Sequence, residues 1–251
     1  MTLISCENVT LSYDGNVAVE GVDCQIAAGD YLCIVGCNGS GKTTFIRGLL
    51  GLLKPVSGSI VFSDGLKRQD IGYLPQQSTV QKNFPASVRE VVLSGRLSRL
   101  GISVVYRRQD KQAAREALEL LQIADLEKSG FGELSGGQQQ RVLLARALCA
   151  APDGLKVLIL DEPMNGLDAH AKTELYATIS ELNHKQGITV LMITHDVQAA
   201  IQHADRILVL EGKQEFYGDT HAFQHTALGR SMLRDSCGNN CAVCGIGLGD
   251  L

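Results

Sequence analysis

The sequence predicts an α/β fold in which a mostly parallel sheet is flanked by helices. The first observation is a set of short apolar runs that each end at a polar residue: YLCIV (31–35), IGYL (71–74), VLIL (157–160) and TVLMI (189–193). The second is that stretches with helical periodicity separate them, at 43–52, 136–150, 168–185 and 196–203. Strands that are apolar on both faces and alternate with helices are typical of parallel sheets.

The residues that follow these strands define one edge of the predicted sheet. In open α/β sheets, ligands bind beyond the carboxyl ends of the strands. We therefore expect a binding site where the residues that follow the four runs lie together: Gly36, Gln76, Asp161 and His195.

A helical insertion is predicted between the second and third apolar runs, at about 84–135. Its sequence has helical periodicity, with one apolar face that includes Ala114, Leu118 and Leu121. The alternative is a pair of solvated surface helices, because an amphipathic pattern does not identify a partner. Near the other end of the chain, DRILVLEGKQEFYGD predicts a β-hairpin that turns at Gly212.

Composition and charge exclude several classes of protein. The 251-residue chain has a formal net charge of -4, so no overall positive field favours nucleic acid as a partner. No apolar run approaches the roughly 18 residues of a transmembrane helix, and the start, MTLISCENVT, lacks the pattern of a signal peptide. We expect a cytoplasmic protein in which most of five scattered cysteines are small buried hydrophobic residues: Cys6, Cys24, Cys33, Cys37 and Cys149.

GCNGSGKT, residues 36–43, matches the phosphate-binding loop pattern and lies between a predicted strand and a predicted helix. Glycines let backbone amides turn toward a phosphate, and the helix that follows contributes its positive end. We expect Lys42 to add a full positive charge and Thr43 to bind Mg²⁺ through its hydroxyl. The predicted nucleotide-binding residues of this segment are Gly36, Cys37, Asn38, Gly39, Ser40, Gly41, Lys42, Thr43 and Thr44.

Two acidic residues close the run VLILDE. Asp161 is placed to hold the Mg²⁺ that bridges the terminal phosphates of a nucleotide. Glu162 is the predicted general base for the water that attacks the γ-phosphate. The alternative role for this pair is a structural cap at the end of a strand. His195 is expected to hydrogen-bond the γ-phosphate and hold the water, and its alternative is an ordinary surface histidine.

LSGGQQQR, Leu134–Arg141, resembles the signature sequence of the ATP-binding cassette family. The phosphate loop precedes it, and LILDEP, NGLD and ITHD follow it, so the resemblance runs from about residue 3 to residue 220. It implies an ATPase with the fold of P-loop NTPases and an antiparallel β part at the N-terminus. We expect a nucleotide-binding domain at 1–225, with the helical subdomain at about 84–135, and beyond the resemblance a C-terminal tail at 226–251.

The resemblance implies a role for the signature itself. A second anion cradle would close on the ATP of an opposite protomer, which implies a homodimer, and it would consist of Ser135, Gly136, Gly137 and Gln138. Asp168 resembles the residue that couples the two sites across that interface.

The same resemblance assigns two further contacts. Tyr13 would stack on adenine, and Gln76 would contact Mg²⁺ and the attacking water. The alternative for Tyr13 is an ordinary exposed aromatic residue with no role in binding.

The sequence departs from the family pattern at two places. Cys37 places a thiol in the phosphate loop, where oxidation would affect ATP binding. NGLD replaces the commoner SALD, which keeps Asp168 but introduces Gly166.

The predicted function is a transporter subunit that energises separate membrane permeases from the cytoplasmic face, as a peripheral protein. The segment IGYLPQQSTVQKNFPASVREVVLSGRLSRLG resembles the ATPase subunits of zinc, manganese and iron importers, which implies an extracytoplasmic metal-binding protein as an indirect partner. Zinc is the first candidate cargo. The alternatives are importers of iron-siderophores or haem, and a soluble cassette ATPase of repair or translation.

The tail segment DSCGNNCAVCG, residues 235–245, is rich in glycine and asparagine, which disfavour helix and strand. Its thiols, Cys237, Cys241 and Cys244, supply three of the four ligands of a tetrahedral zinc site. Two other interpretations remain. One is a mobile tail whose thiols bind nothing. The other is an iron-sulfur site, because the spacing C-x-x-x-C-x-x-C resembles that of radical iron-sulfur enzymes.

Overall fold

The computed structural model describes residues 1–13, 15–63, 65–76, 85–99, 105–151 and 154–237. The strands are β1 (Thr2–Tyr13), β2 (Asn16–Ala27), β3 (Tyr31–Val35), β4 (Ser57–Phe62), β5 (Ile71–Leu74), β6 (Val157–Asp161), β7 (Thr189–Ile193), β8 (Arg206–Leu210) and β9 (Gln214–Asp219). The helices are α1 (Lys42–Leu49), α2 (Val88–Leu93), α3 (Arg108–Leu120), α4 (Gly136–Cys149), α5 (Ala169–His184), α6 (Val197–His203), α7 (Thr220–His225) and α8 (Ala227–Cys237).

Two compact units divide the described chain. One comprises Phe62–Met192 with Met1 and Ala27–Gly29, and we call it the helical unit. The other comprises Thr2–Ile26, Asp30–Val61 and the residues from Ile193 onward, and we call it the phosphate-loop unit.

Buried parallel strands form the sheet of the helical unit. β5 pairs with β6 in parallel, from Ile71 opposite Val157 to Leu74 opposite Leu160, and β7 lies on the other side of β6. Every residue of β6 and of β7 is buried. The apolar runs therefore form strands that are covered on both faces, and the predicted α/β fold is confirmed.

The helices of the insertion pack on one another in the helical unit. Within the insertion, α2 packs against α3. Both helices also pack against α4, which follows the insertion and contacts α5 and strand β5. The apolar face predicted for α3 is buried. Its residues Ala114 and Leu118, and Leu121 at the C-terminal cap, each have 2% or less of their surface exposed. This face therefore serves packing within the unit and is not solvated.

The phosphate-loop unit combines parallel and antiparallel strands. β3 pairs with β8 in parallel, from Leu32 opposite Arg206 to Val35 opposite Val209. β8 and β9 form the predicted hairpin, and Gly212 in its turn has a φ of 74°. A separate sheet in the order β2-β1-β4 is the antiparallel part that the resemblance implied.

The C-terminal helices extend the phosphate-loop unit beyond residue 225. α8 packs against α6 and α7. The expectation that 235–245 builds no helix is wrong for its first three residues, since α8 extends through Cys237, continuing a stretch that contains the helix formers Leu233 and Arg234. Among the described residues, no helix combines the length and the apolar character needed to cross a membrane.

Candidate nucleotide site

The phosphate loop joins β3 to α1 and depends on two glycines. Gly36 has a φ of 152° and Gly41 a φ of 95°, which favour residues without a Cβ. A Cβ on Gly36 would overlap the Leu210 carbonyl oxygen, and a Cβ on Gly41 would overlap the Ala18 carbonyl oxygen. The loop therefore lies so close to two neighbouring backbone segments that only glycine fits at either position.

Lys42 is enclosed by the loop that carries it, with 5% of its surface exposed. Its Nζ donates to the carbonyl oxygens of Gly36, at 2.8 Å, and Cys37, at 2.6 Å. The Ser40 hydroxyl is also buried, and no hydrogen-bond partner for it exists in the part of the chain that the structure describes. A buried ammonium and an unsatisfied hydroxyl on one loop suit a phosphate oxygen as a ligand.

Asp161 ends β6 in the helical unit and is only 2% exposed. The Tyr73 hydroxyl donates to its Oδ2 over 3.4 Å, a long hydrogen bond. A carboxylate that is buried at the end of a parallel strand needs a positive partner or strong donors to remain ionised. Its oxygen atoms are the ligand type that Mg²⁺ prefers.

Glu162 has an uncommon backbone conformation, and its carboxylate is bonded by two amide side chains of the helical unit. Its φ of 49° lies in the left-handed region, which is rare for residues other than glycine and clusters at functional sites. Gln76 Nε2 donates to Glu162 Oε2 over 2.9 Å, and Asn165 Nδ2 donates to the same oxygen. Two donors on one oxygen fix the direction of the carboxylate.

Asn165 is a contact that the sequence analysis missed. It lies three residues after Glu162, beyond Pro163, and its backbone N–H also bonds the Glu162 carbonyl oxygen at 3.2 Å. The signal was the proximity of an amide side chain to the acidic pair in the segment EPMNG. The family resemblance assigns a role to Asp168 and none to Asn165.

The signature residues have local structural roles at the start of α4. Ser135 Oγ accepts a hydrogen bond from the Gln138 N–H at 3.3 Å, and Gln138 Oε1 accepts one from the Ser135 N–H at 3.0 Å. This reciprocal pair is a capping box. Ser135 and Gly136 are exposed at the helix N-terminus, while a Cβ on Gly137 would lie 3.1 Å from the Ala171 side chain.

Asp168, the predicted coupling residue, caps α5. Its Oδ1 accepts a hydrogen bond from the Ala171 N–H at 2.9 Å, and its side chain is exposed. An aspartate at this position satisfies one of the unpaired amides of the first helical turn. Any role across a protomer interface would therefore be in addition to this local one.

The structure places two further predicted residues on the phosphate-loop unit. Tyr13 ends β1 with 55% of its surface exposed, and His195 follows β7 as an exposed residue of the phosphate-loop unit. The Cys237 side chain, Cys241 and Cys244 lie outside the described part of the chain. Within the described part, no three histidine, cysteine or acidic side chains are grouped to hold a metal.

Comparison with known proteins identifies the family. The family model for ABC transporters matches residues 19–165. The zinc uptake system ATP-binding protein ZurA of Listeria innocua is 36% identical over 239 residues, which are 92% of this chain and 91% of ZurA. The manganese transport system ATP-binding protein MntB of Bacillus subtilis is 38% identical over 220 residues, 86% of each chain.

A solved structure agrees with this family. It is an inward-facing conformation of a protein assigned to the metal-chelate type of ABC transporter, with a TM-score of 0.81, 28% identity, and coverage of 93% of this chain and 90% of that one. The resemblance drawn from the signature sequence and the prediction of an ATPase are confirmed. The chain belongs to the ABC transporter family, in which it is an ATP-binding subunit.

Proposed function

We propose that this protein is the ATP-hydrolysing subunit of an importer for a divalent metal ion, with zinc as the first candidate and manganese and iron as alternatives. Support for the cargo comes from the names of its relatives, which include zinc uptake and manganese transport proteins that match most of the chain. The nucleotide-binding domain of the proposal spans 1–225, with its helical subdomain at 84–135.

The observation that carries the proposal is the orientation of Glu162 by Gln76 and Asn165. In the proposed reaction, the Glu162 carboxylate accepts the proton of the water that attacks the γ-phosphate. Lys42 and the loop amides stabilise the negative charge on the phosphates, and the Ser40 hydroxyl donates to a phosphate oxygen. His195 holds the attacking water, and Tyr13 stacks on the adenine ring.

The residues also fit Mg²⁺ as the partner of ATP. The proposed ligands, Asp161, Gln76 and Thr43, offer a carboxylate, an amide oxygen and a hydroxyl, which are hard oxygen donors of the kind that Mg²⁺ binds. Asp161 is buried at the end of β6, where its carboxylate would serve as a ligand in a site that excludes most of the water. When bound, Mg²⁺ neutralises charge that develops on the bridging phosphate oxygens.

The exposed signature supports a dimer that closes on nucleotide. In the proposal, the N-terminal turn of α4, at Ser135–Gln138, binds the γ-phosphate of ATP held by a second copy of the chain.

Mutation of Glu162 to Gln blocks the proton transfer and traps this closed dimer. Light scattering should therefore show a doubled mass for Glu162→Gln with ATP and Mg²⁺, and a monomer for Glu162→Gln combined with Lys42→Ala. A monomer in both cases would reject the closed dimer.

Membrane permeases complete the proposed transporter, and this subunit binds them at the cytoplasmic face. An extracytoplasmic metal-binding protein delivers the ion and acts only indirectly on this chain. Deletion of the gene should create a growth defect in chelator-treated medium that one metal salt repairs at a lower concentration than the others. Equal growth of the deletion strain and its parent under every limitation would oppose metal import.

A second cargo class, metal chelates such as iron-siderophores or haem, is favoured by the structural match to a protein of the metal-chelate type. Uptake assays that supply iron either as the free ion or as the chelate distinguish the two cargo classes. Loss of uptake for the chelate alone would support this second candidate.

We also propose a zinc site in the C-terminal tail. The argument rests on the sequence, in which Cys237, Cys241 and Cys244 lie within eight residues. Equilibrium dialysis of the purified protein tests it, with Cys241→Ser expected to lose a bound zinc ion. An unchanged zinc stoichiometry would reject the site.

A further inference from the structure

A carboxylate outside the phosphate loop binds one of the loop amides. The Cys37 N–H donates to Glu211 Oε1 over 2.7 Å. Glu211 directly follows β8, in the hairpin turn of the phosphate-loop unit, and both residues are exposed. An amide that donates to a carboxylate at this distance forms a charge-assisted hydrogen bond, which is stronger than a bond between neutral groups.

The same peptide group carries a second charged contact. Its carbonyl, on Gly36, accepts from the Lys42 ammonium at 2.8 Å, while its amide, on Cys37, donates to Glu211 at 2.7 Å. An ammonium and a carboxylate therefore hold the two ends of one peptide. This arrangement fixes the plane of the peptide at the first step of the loop, where Gly36 has no Cβ to restrict rotation of the backbone.

Backbone contacts hold the turn that carries Glu211 against the loop. The Gly212 N–H donates to the Ser40 carbonyl at 3.1 Å, and the Glu20 N–H donates to the Gly212 carbonyl at 2.8 Å. The Leu210 carbonyl occupies the space that a Cβ on Gly36 would need. Glu211 is therefore presented by a turn whose position relative to the loop is set independently of its own side chain.

We propose that Glu211 is a positioning residue that orients the peptide between Gly36 and Cys37 and so preforms the loop for phosphate. This inference rests on the proposed function, in which Lys42 directs its ammonium to a phosphate. When the Lys42 ammonium also bonds a phosphate, its hydrogen bond to the Gly36 carbonyl becomes weaker. The hydrogen bond to Glu211 is then the main contact that orients the peptide between Gly36 and Cys37. Its contribution is to nucleotide affinity, because its side chain contacts the loop and no reacting atom.

Steady-state hydrolysis tests the inference with three variants. Glu211→Ala removes the acceptor and should raise the KM for ATP about three- to tenfold, with kcat changed less than about twofold. Glu211→Gln keeps an oxygen acceptor and should recover most of the affinity. Glu215→Ala is the matched control, because Glu215 is an exposed glutamate of β9 that pairs with Lys213 at 3.5 Å. A KM unchanged in Glu211→Ala, or equal in the Ala and Gln variants, would overturn the inference.

Hydrogen exchange without nucleotide separates this inference from the proposed function. By NMR, the Cys37 amide should exchange several-fold faster in Glu211→Ala than in the wild type or Glu215→Ala, with an unchanged melting temperature. Equal exchange rates would rule out Glu211 as the anchor, whatever the enzyme does with ATP. A wild-type protein that fails to hydrolyse ATP would instead refute the proposed function, and the exchange comparison would still decide the contact.

Discussion

Asn165 and Gln76 bond the same carboxylate oxygen of Glu162, so each of them limits the freedom of the proposed base. We predict that Asn165→Ala lowers kcat for ATP hydrolysis about five- to tenfold, because misorientation of a general base reduces proton transfer. The KM for ATP should change less than about twofold, since both hydrogen bonds that define the role of Asn165 go to Glu162. Lys172→Ala, an exposed change on α5, serves as the control. An unaltered kcat in Asn165→Ala would contradict the orientation argument.

Cys37 is an exposed thiol in the phosphate loop, whereas Cys33 is buried in β3. Burial raises the pKa of the Cys33 thiol above its usual range, which suppresses the reactive thiolate. We predict that iodoacetamide modifies Cys37 in the native protein and Cys33 only after denaturation, as read by peptide mass spectrometry. ATP with Mg²⁺ should slow the modification of Cys37 at least about fivefold, because bound phosphates restrict access to the loop. Equal rates with and without ATP would place the nucleotide elsewhere.

The residues of the site were only partly predictable from sequence. The phosphate loop and the Asp161–Glu162 pair could be identified because short-range spacing determines their chemistry. Glu211 could not, since it approaches Cys37 from 174 positions along the chain and no local pattern marks it. The capping roles of Ser135 and Asp168 were readable in principle, because each is a strong N-cap residue directly before a helix.

The start of α5 allows the local role of Asp168 to be measured apart from any interface role. Asp168→Ala removes the acceptor for the Ala171 N–H and should lower the free energy of unfolding by about 1 kcal/mol. Asp168→Asn keeps an acceptor and should cost far less. Urea denaturation of the monomer measures both. If the two variants unfold at the same urea concentration as the wild type, the cap contributes nothing.

A buried ion pair joins the short helical segment Ser94–Arg99 to α3. Arg96 is 4% exposed, lies 3.5 Å from Asp110 through its Nε, and donates to the Ala151 carbonyl at 3.2 Å. We predict that Arg96→Met destabilises the protein by about 3 kcal/mol, because it leaves Asp110 buried without its cation.

Arg89 provides the matched comparison for this pair. It lies 3.5 Å from Glu127 but is 47% exposed, so water already screens the interaction. Arg89→Met should cost less than about 1 kcal/mol in the same denaturation experiment. Similar losses for the two variants would show that burial does not determine the effect.

The observed bounds of β3 and α1 agree with the sequence prediction to different degrees. The strand prediction at 31–35 coincides with β3, because an apolar run bounded by glycine and polar residues has little ambiguity. The helix prediction at 43–52 was too long, since α1 ends at Leu49 and Gly51 adopts a φ of 68°. Glycine in the left-handed conformation commonly ends a helix, so the end of α1 before Gly51 could have been predicted from the sequence.

For the whole molecule, the order of motifs predicted the family better than composition did. The net charge of -4 and the apolar content only excluded other classes. The nucleotide site of this chain carries no signal that identifies the cargo. Relatives named for zinc and for manganese both match this chain, so the metal requires a measurement.

The most direct test of metal import is uptake of radioactive zinc, manganese and iron by cells whose only copy of this protein carries Glu162→Gln. The variant should bind ATP without hydrolysing it, so the transporter assembles but cannot complete its cycle. We predict that uptake of one metal falls to the level of a deletion strain while the amount of protein stays unchanged. Uptake of all three metals at the wild-type rate would contradict the account.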